Sequence, residues 1–211
     1  MDYITPLIYR KILDTISDIY DRSSKYEDTD LFRFKDVLDS FSEGQLVSKH
    51  WAVEELNKLI NDSHEECIVI GSWHGLFSHM LAESGFKGKI INIELDKVCN
   101  DIARRLKIYD NIIFKLGDGI ELFHELNYAN KILVCTACEH IDAEELSFTL
   151  QQKHENMIVC LQSNNYYEID SHINCHDTLE DFIKSLPLKN ILYSGTKNHK
   201  NKYDRFMVIA K

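Results

Sequence analysis

The chain has 211 residues, of which 44% are hydrophobic and 27% are charged, and a formal net charge of −10 at pH 7. This length suits a single domain with its own hydrophobic core. The composition, with only 2 Pro and 8 Gly, excludes collagen-like and low-complexity chains. No apolar run approaches the roughly 18 residues of a membrane-spanning helix, and the first residues lack the basic and apolar regions of a signal peptide. We therefore expect a cytoplasmic protein with no membrane partner.

The negative charge would repel phosphate groups, so it disfavours nucleic acid as a partner without excluding it. The densest basic cluster, residues 197–202, is explained equally well as a turn between two strands. A small-molecule substrate is favoured, and the sequence leaves the oligomeric state open.

The six cysteines are scattered along the chain. Cys67, Cys135 and Cys160 lie in or beside apolar runs, where a thiol behaves as a small hydrophobic group. Their spacing is typical neither of a disulfide framework nor of a zinc knuckle.

Residues 1–62 are predicted to form a helical extension. Ile8, Ile12 and Ile16 belong to an apolar series with steps of three and four residues, which is typical of an amphipathic helix. A polar connection at 23–30 and a second helix at 31–41 follow. A third helix is predicted at 48–60, with Ser48 as its N-cap.

From residue 63 onward, short apolar runs alternate with helical patterns. Strands that are apolar throughout and alternate with helices indicate a parallel sheet covered on both faces. The last two runs are separated by only about nine residues, too few for a crossover helix, so they should form an antiparallel hairpin at one edge. The predicted strands are 67–70, 89–94, 111–116, 131–136, 157–162, 191–195 and 205–210, and the helices between the first five are 75–84, 96–107, 119–126 and 142–153.

Glycines and acidic residues follow the first three predicted strands. A glycine turn between a strand and a helix presents backbone N–H groups to a carboxylate or phosphate, although it can equally be a plain connection. Glu94 ends the second strand, where a carboxylate can accept both hydroxyls of an adenosine ribose. Asp96 should cap the next helix, and Asp118 could do the same after the third strand. The first turn reads Gly71-Ser72-Trp73-His74-Gly75, and the third strand is followed by Gly117-Asp118-Gly119.

Taken together, these features resemble the class I S-adenosylmethionine-dependent methyltransferases, and most closely their small bacterial and phage members. The resemblance covers about residues 60–211. It implies a Rossmann-like α/β sheet of seven strands, with residues 63–211 as the catalytic domain, and S-adenosylmethionine as the cofactor. It places Glu94 on the ribose and Asp118 near the adenine. Two departures, Trp73 at the usual middle glycine and Val69 at a common acidic position, mark the methionine end. The implied cofactor residues are Gly71, Ser72, Trp73, Gly75, Glu94, Leu95, Gly117, Asp118, Gly119 and Thr136.

The loops after strands four and five are expected to face the acceptor. Glu139 and His140 could take a proton or hold an ammonium group, and Asn164 and Tyr166 could orient a polar substrate; packing and capping are the alternatives. The Pro-Pro motif typical of amino-group methylation in DNA and protein is absent from both loops. The spacing of His172, Cys175 and His176 could seat a metal, but no fourth ligand is evident, so no metal is predicted.

The extension could fold over the site as a lid, as it often does in this family. Lys49 or Trp51 would then contact cofactor or substrate, although helix packing by Trp51 is slightly favoured. The leading hypothesis is a methyltransferase acting on a small polar molecule. The alternatives are a cyclase, lyase or aminocarboxypropyl transferase that uses the same cofactor, a methyltransferase for tRNA or another nucleic acid, and a non-catalytic module that binds a partner.

Overall fold

The computed structural model describes residues 5–23, 29–126, 129–200 and 202–211. Three helices come first: α1 (Pro6–Ser23), α2 (Thr29–Ser40) and α3 (Glu43–Asn57). The predicted connection at 23–30 is shorter than expected, because α1 extends to Ser23 and α2 begins at Thr29; residues 24–28 lie outside the described residues.

Strands and helices alternate through the rest of the chain. The strands are β1 (Glu66–Ile70), β2 (Lys89–Glu94), β3 (Ile112–Leu116), β4 (Lys131–Cys135), β5 (Ile158–Asn164), β6 (Ile191–His199) and β7 (Tyr203–Ala210). The helices are α4 (Leu76–Glu83), α5 (Lys97–Leu106), α6 (Gly119–Leu126), α7 (Ala143–Gln151) and α8 (Leu179–Ser185), with a short 3₁₀ helix at Cys138–His140 after β4.

All seven strands join one sheet in the order β3-β2-β1-β4-β5-β7-β6. The first five are parallel, while β7 runs antiparallel between β5 and β6. The predicted parallel core and terminal hairpin are therefore confirmed. Because β7 is antiparallel, its first residues lie at the same sheet edge as the carboxyl ends of β1 to β5, and Asn164 at the end of β5 pairs with Arg205 of β7.

Two hydrophobic cores lie on the two faces of the sheet. One packs α3 and α4 against the strands through residues such as Trp51, Leu56 and Phe77. The other includes Phe123 of α6, Leu146 of α7 and Phe182 of α8. Cys67, Cys135 and Cys160 are buried in these cores, as their apolar setting predicts. Among the described residues, no helix is long and apolar enough to cross a membrane.

The start of the third helix was predicted wrongly. Helix α3 begins at Glu43 with Ser42 as its N-cap, so Ser48 is an interior residue. Ser48 is buried, and its hydroxyl donates to Oε1 of Gln162 at 2.8 Å, while Nε2 of Gln162 donates to the Ser48 carbonyl at 3.1 Å. These two bonds attach α3 to the carboxyl end of β5.

Helix α8 was missed by the sequence reasoning, although a capping signal was present. Thr178 precedes the helix, and its Oγ1 accepts from the backbone N–H of Asp181, three residues later, at 3.1 Å. A hydroxyl residue followed three positions later by an acid is typical of a helix start. Asp96 is confirmed as the N-cap of α5, since its carboxylate accepts from Val98 and Cys99.

Candidate active site

A cavity of about 800 Å³ opens at the carboxyl edge of the sheet. Its volume lies in the roughly 300–1,000 Å³ range of pockets that hold small ligands. We distinguish two parts by their lining. The glycine-turn end includes Gly71, Trp73, Glu94, Leu95 and Asp118; the buried-charge end includes Lys49, Thr136, Glu139, His140, Asn164, Tyr166 and Arg205.

The turn after β1 shapes the glycine-turn end through positive φ angles. Gly71 has φ +61°, Trp73 has φ +51° and Gly75 has φ +76°. Side-chain-bearing residues rarely adopt this left-handed region, and strain there is concentrated at functional sites. Ser72 donates its N–H to the Ile93 carbonyl at 3.1 Å, which joins the turn to β2. The turn is therefore a fixed surface, with Trp73 on the cavity wall.

Glu94, which was predicted to bind a ribose, ends β2 and lies on the cavity wall. One carboxylate oxygen, Oε2, accepts from the Trp73 backbone N–H at 2.7 Å, and Oε1 accepts from the Asp96 N–H at 3.0 Å. A carboxylate has about four acceptor sites, so two remain for a ligand. The two backbone bonds fix the side chain on the cavity wall.

Asp118 lines the cavity, and it also caps the start of α6, which was the alternative role considered for it. Its Oδ1 accepts from the backbone N–H of Ile120 at 2.7 Å and of Glu121 at 3.4 Å. Gly119 cannot carry a side chain here, because a Cβ would lie 2.4 Å from Cγ2 of Ile70. Within the part of the chain that the structure describes, Ser72, Gly75 and Gly117 lie outside the cavity lining; they belong to the turns behind it.

An ion pair and an amide lie at the centre of the buried-charge end. Glu139 and Arg205 are only 3% and 4% exposed, and Oε1 of Glu139 accepts from Arg205 at 2.9 Å and from Nδ2 of Asn164 at 2.7 Å. Oε2 of Glu139 is also buried, with no hydrogen-bond partner among the described residues. Burial alone would lower the pKa of Arg205, but Glu139 and Tyr203 outweigh it and raise that pKa above its ordinary value.

Arg205 is the residue that the sequence reasoning missed. Nothing in its local sequence marks it, since it simply opens the last predicted strand. The topology supplied a signal, because the first residue of an antiparallel strand next to β5 must lie at the edge where β4 and β5 end. Asn164 was expected to orient a substrate; the structure shows its amide holding Glu139, with its Oδ1 accepting from the Tyr166 N–H at 2.8 Å.

Lys49 of α3 also lines the cavity and is 6% exposed. Burial lowers its pKa to about 7; the positive charge of Arg205 adds to this effect and Glu139 opposes it. Its Nζ donates to Oε1 of Gln45. Trp51, by contrast, packs in the core and donates its indole N–H to the Tyr193 hydroxyl at 3.0 Å, so the packing interpretation describes its environment.

His140 and Tyr166 lie on the outer wall of this end. Nδ1 of His140 lies 3.1 Å from the Ser171 carbonyl, and its ring is 4.6 Å from that of His172. A carbonyl can only accept, so Nδ1 carries the hydrogen and Nε2 keeps its lone pair. Burial lowers the pKa of His140 below its ordinary value, and the negative charge of Glu139 opposes this effect. The Tyr166 ring packs 5.2 Å from that of Tyr203.

His172 and His176, whose spacing with Cys175 could seat a metal, have other partners in the structure. Nδ1 of His172 is bonded to the Tyr166 carbonyl at 2.6 Å, and Nδ1 of His176 lies 3.5 Å from Oγ of Ser163. In the described part of the chain, two other groups bring three potential ligand atoms within 4.8 Å of one another: Glu139 with His140 and His172, and Asp36 with His74 and Cys99.

The fold is shared with solved structures of low sequence identity. An O-methyltransferase from Bacillus cereus in complex with S-adenosylhomocysteine is 13% identical, with a TM-score of 0.59 over 96% of this chain and 91% of that one. A SAM-dependent methyltransferase from Anabaena variabilis is 18% identical (TM-score 0.57; 76% of this chain, 82% of that one). Fibrillarin from Aeropyrum pernix, with natively bound S-adenosyl-L-methionine, is 16% identical (TM-score 0.52; 76% and 74%).

Neither a family model nor a curated protein matches the chain. The structural likeness, together with the strand order, establishes the class I methyltransferase fold.

Proposed function

We propose that the chain is an S-adenosylmethionine-dependent methyltransferase that acts on a small polar acceptor. The observation that carries this proposal is a cavity in which a glycine turn and Glu94 meet a second set of polar groups around Glu139. Structures with the same fold bind S-adenosylmethionine or its demethylated product, which supports the choice of cofactor.

The residues at the glycine-turn end fit such a cofactor. Glu94 keeps acceptor sites for the two ribose hydroxyls, Asp118 and the exposed side chain of Leu95 flank the expected adenine position, and Gly71 leaves the wall open beside Ala137. Trp73 stands where a glycine is usual, so the methionine end has a bulkier wall than the family pattern. Thr136 continues the wall from β4, and its carbonyl accepts from Arg205 at 3.2 Å.

The bound cofactor would supply an electrophilic methyl group, and the chain must hold the acceptor in line with it and exclude water. A general base is required only when the acceptor is protonated. Oε2 of Glu139 can accept a hydrogen bond from an N–H or O–H group of the molecule to be methylated, while Arg205 and Asn164 fix the carboxylate. Nε2 of His140 and the uncharged form of Lys49 can also take a proton. The side chains of Tyr166 and its neighbour Tyr203 would lie beside the molecule to be methylated.

Two measurements test the proposal. S-adenosylmethionine should raise the melting temperature of the purified protein, and incubation with fractionated cell extract should yield S-adenosylhomocysteine. Methylthioadenosine as the product would instead indicate a cyclase, lyase or aminocarboxypropyl transferase. The absence of any thermal shift would favour a non-catalytic module, and an RNA affinity that falls steeply with salt would favour a nucleic-acid substrate.

Glu139→Gln should lower turnover while leaving cofactor affinity intact, because the carboxylate lies at the buried-charge end. Glu145→Gln, also on the cavity wall but in the first turn of α7, is the matched control. Wild-type turnover in Glu139→Gln would remove Glu139 from the mechanism.

A further inference from the structure

We propose that Asp36, His74 and Cys99 form a binding site for one divalent transition metal ion of the zinc type. The three residues come from helix α2, the glycine turn after β1 and the first turn of α5. Oδ2 of Asp36 lies 3.5 Å from Sγ of Cys99 and 3.8 Å from Nε2 of His74. One ligand atom from each residue lies within 4.8 Å of the other two.

The distances suit tetrahedral coordination by three protein ligands, with water in the fourth position. Zinc binds oxygen and nitrogen at about 2.0–2.1 Å and sulfur at about 2.3 Å, so neighbouring ligands around a tetrahedral ion lie roughly 3.3–3.6 Å apart. The two distances from Asp36 are within a few tenths of an ångström of that range. Carboxylate, imidazole and thiolate are also the donor types that zinc sites use.

The local charge favours a cation. Besides Asp36, the carboxylates of Asp96 and Glu94 act electrostatically on the Cys99 sulfur. In the metal-free protein burial is the main cause that raises the pKa of the Cys99 thiol, and these negative charges add to it; a dication at the site favours the thiolate. On binding, Sγ of Cys99 would lose its proton to solvent and donate the freed electron pair to the metal. The thiolate and the Asp36 carboxylate would then neutralise the ion.

The second three-residue group, Glu139 with His140 and His172, is less suitable. Arg205 already occupies Oε1 of Glu139 in a buried ion pair. A dication bound there would face a desolvated guanidinium, whereas one bound at Asp36 would face carboxylates. The observations therefore favour the Asp36 group over the Glu139 group.

Such a metal would have a structural consequence beside the cavity. Asp36 lines the cavity, and the ring of His74 lies 5.4 Å from that of Trp73, on the cavity wall. An ion at this position would join α2 of the N-terminal extension to both the glycine turn and α5. This role is independent of the proposed methyl transfer.

Titration of the chelator-treated protein with Co²⁺ tests the site, because a thiolate ligand gives a sulfur-to-cobalt charge-transfer band. We expect one Co²⁺ per chain with this band in the wild type, and a higher melting temperature with Zn²⁺. Cys99→Ser should abolish the band. Asp36→Asn should weaken Co²⁺ binding by at least the roughly 10–100-fold that losing an outer-shell partner costs. Cys175→Ser and His140→Ala are the controls and should titrate as the wild type does.

Several results would overturn the proposal: no charge-transfer band in the wild type, a band that persists in Cys99→Ser, or Co²⁺ binding that is lost in His140→Ala and retained in Asp36→Asn. Asp36 provides the decisive variant should Cys99→Ser fail to fold, since its side chain is 30% exposed and asparagine keeps its shape. Circular dichroism of each variant verifies the fold. Binding of S-adenosylmethionine, measured separately, keeps this result distinct from the outcome for the proposed function.

Discussion

The two ends of the cavity are built in different ways. At the glycine-turn end, short sequence motifs at the ends of consecutive strands supply the wall, and backbone N–H groups fix the carboxylate of Glu94. At the buried-charge end, Lys49, Glu139, Asn164 and Arg205 meet from four distant parts of the chain. The first end depends on local turn geometry. The second depends on how desolvated charges balance one another, so the ends should respond differently to substitution.

The largest effect on the free energy of unfolding is expected at Lys49, because burial of its side chain disfavours the charged form. Its pKa is about 7 in the folded protein against 10.5 for an exposed lysine, a difference worth on the order of 4–5 kcal/mol at 1.36 kcal/mol per unit. Lys49→Met should therefore raise the free energy of unfolding by up to about that amount near pH 7 while impairing turnover.

The pH dependence provides the check. Between pH 7 and 10.5 the unfolded chain binds more protons at Lys49 than the folded chain, so the wild type gains stability as pH rises through this window. The advantage of Lys49→Met, measured by urea unfolding, should be greatest at or below pH 7 and shrink toward pH 10. An advantage that is constant with pH would mean that packing, not charge burial, governs the site. Lys58→Met, at an exposed position of the chain, is the control.

The second-largest effect on the free energy of unfolding is expected at Arg205, because its removal leaves the Glu139 carboxylate buried without its ion-pair partner. Breaking a buried ion pair in this way typically costs about 3–5 kcal/mol. Arg205→Met should lower the free energy of unfolding by that amount, and Glu139→Gln added to it should recover part of the loss. If the double variant is no more stable than Arg205→Met alone, the two charges are not coupled. The glycine-turn end should keep most of its cofactor affinity throughout.

The difference between the two ends of the cavity also explains which site residues could be predicted from the sequence. Glu94 and Asp118 could be predicted because each lies at the end of its own strand, where the fold alone determines its position. The pairing of Glu139 with Arg205 could not, because it requires the register between β5 and β7. The sequence did suggest Lys49 as a contact to cofactor or substrate, and the Ser48–Gln162 bonds help to attach its helix to the carboxyl end of β5. Helix α8 was missed despite its Thr178 cap, since its seven residues carry too short an apolar pattern.

A smaller effect is expected at Glu94, and it should change only the affinity for the cofactor. If Glu94 binds the ribose as proposed, Glu94→Ala removes acceptors for two hydroxyls, and hydrogen bonds to a charged group contribute roughly 1.5–3 kcal/mol. The Kd for S-adenosylmethionine, measured by calorimetry, should rise by about 10- to 150-fold. Glu155→Ala, at an exposed position, should leave it unchanged. An unaltered Kd in Glu94→Ala would contradict the assignment of this end to the cofactor.

The smallest effect is expected at Ser48, which holds α3 to β5. Ser48→Ala removes the donor to Oε1 of Gln162 but leaves the bond from Nε2 of Gln162 to the main-chain carbonyl. An unsatisfied buried polar atom costs about 1–3 kcal/mol, so the free energy of unfolding should fall by about 1 kcal/mol. Because Lys49 is the next residue, the KM for the acceptor should rise, while the Kd for S-adenosylmethionine stays constant. The exposed Ser63→Ala, far along the chain from this contact, controls for loss of a hydroxyl. A change in cofactor affinity equal to the change in KM would show that α3 supports both ends of the cavity. The two ends would then differ in the residues that line them but would not respond independently to substitution.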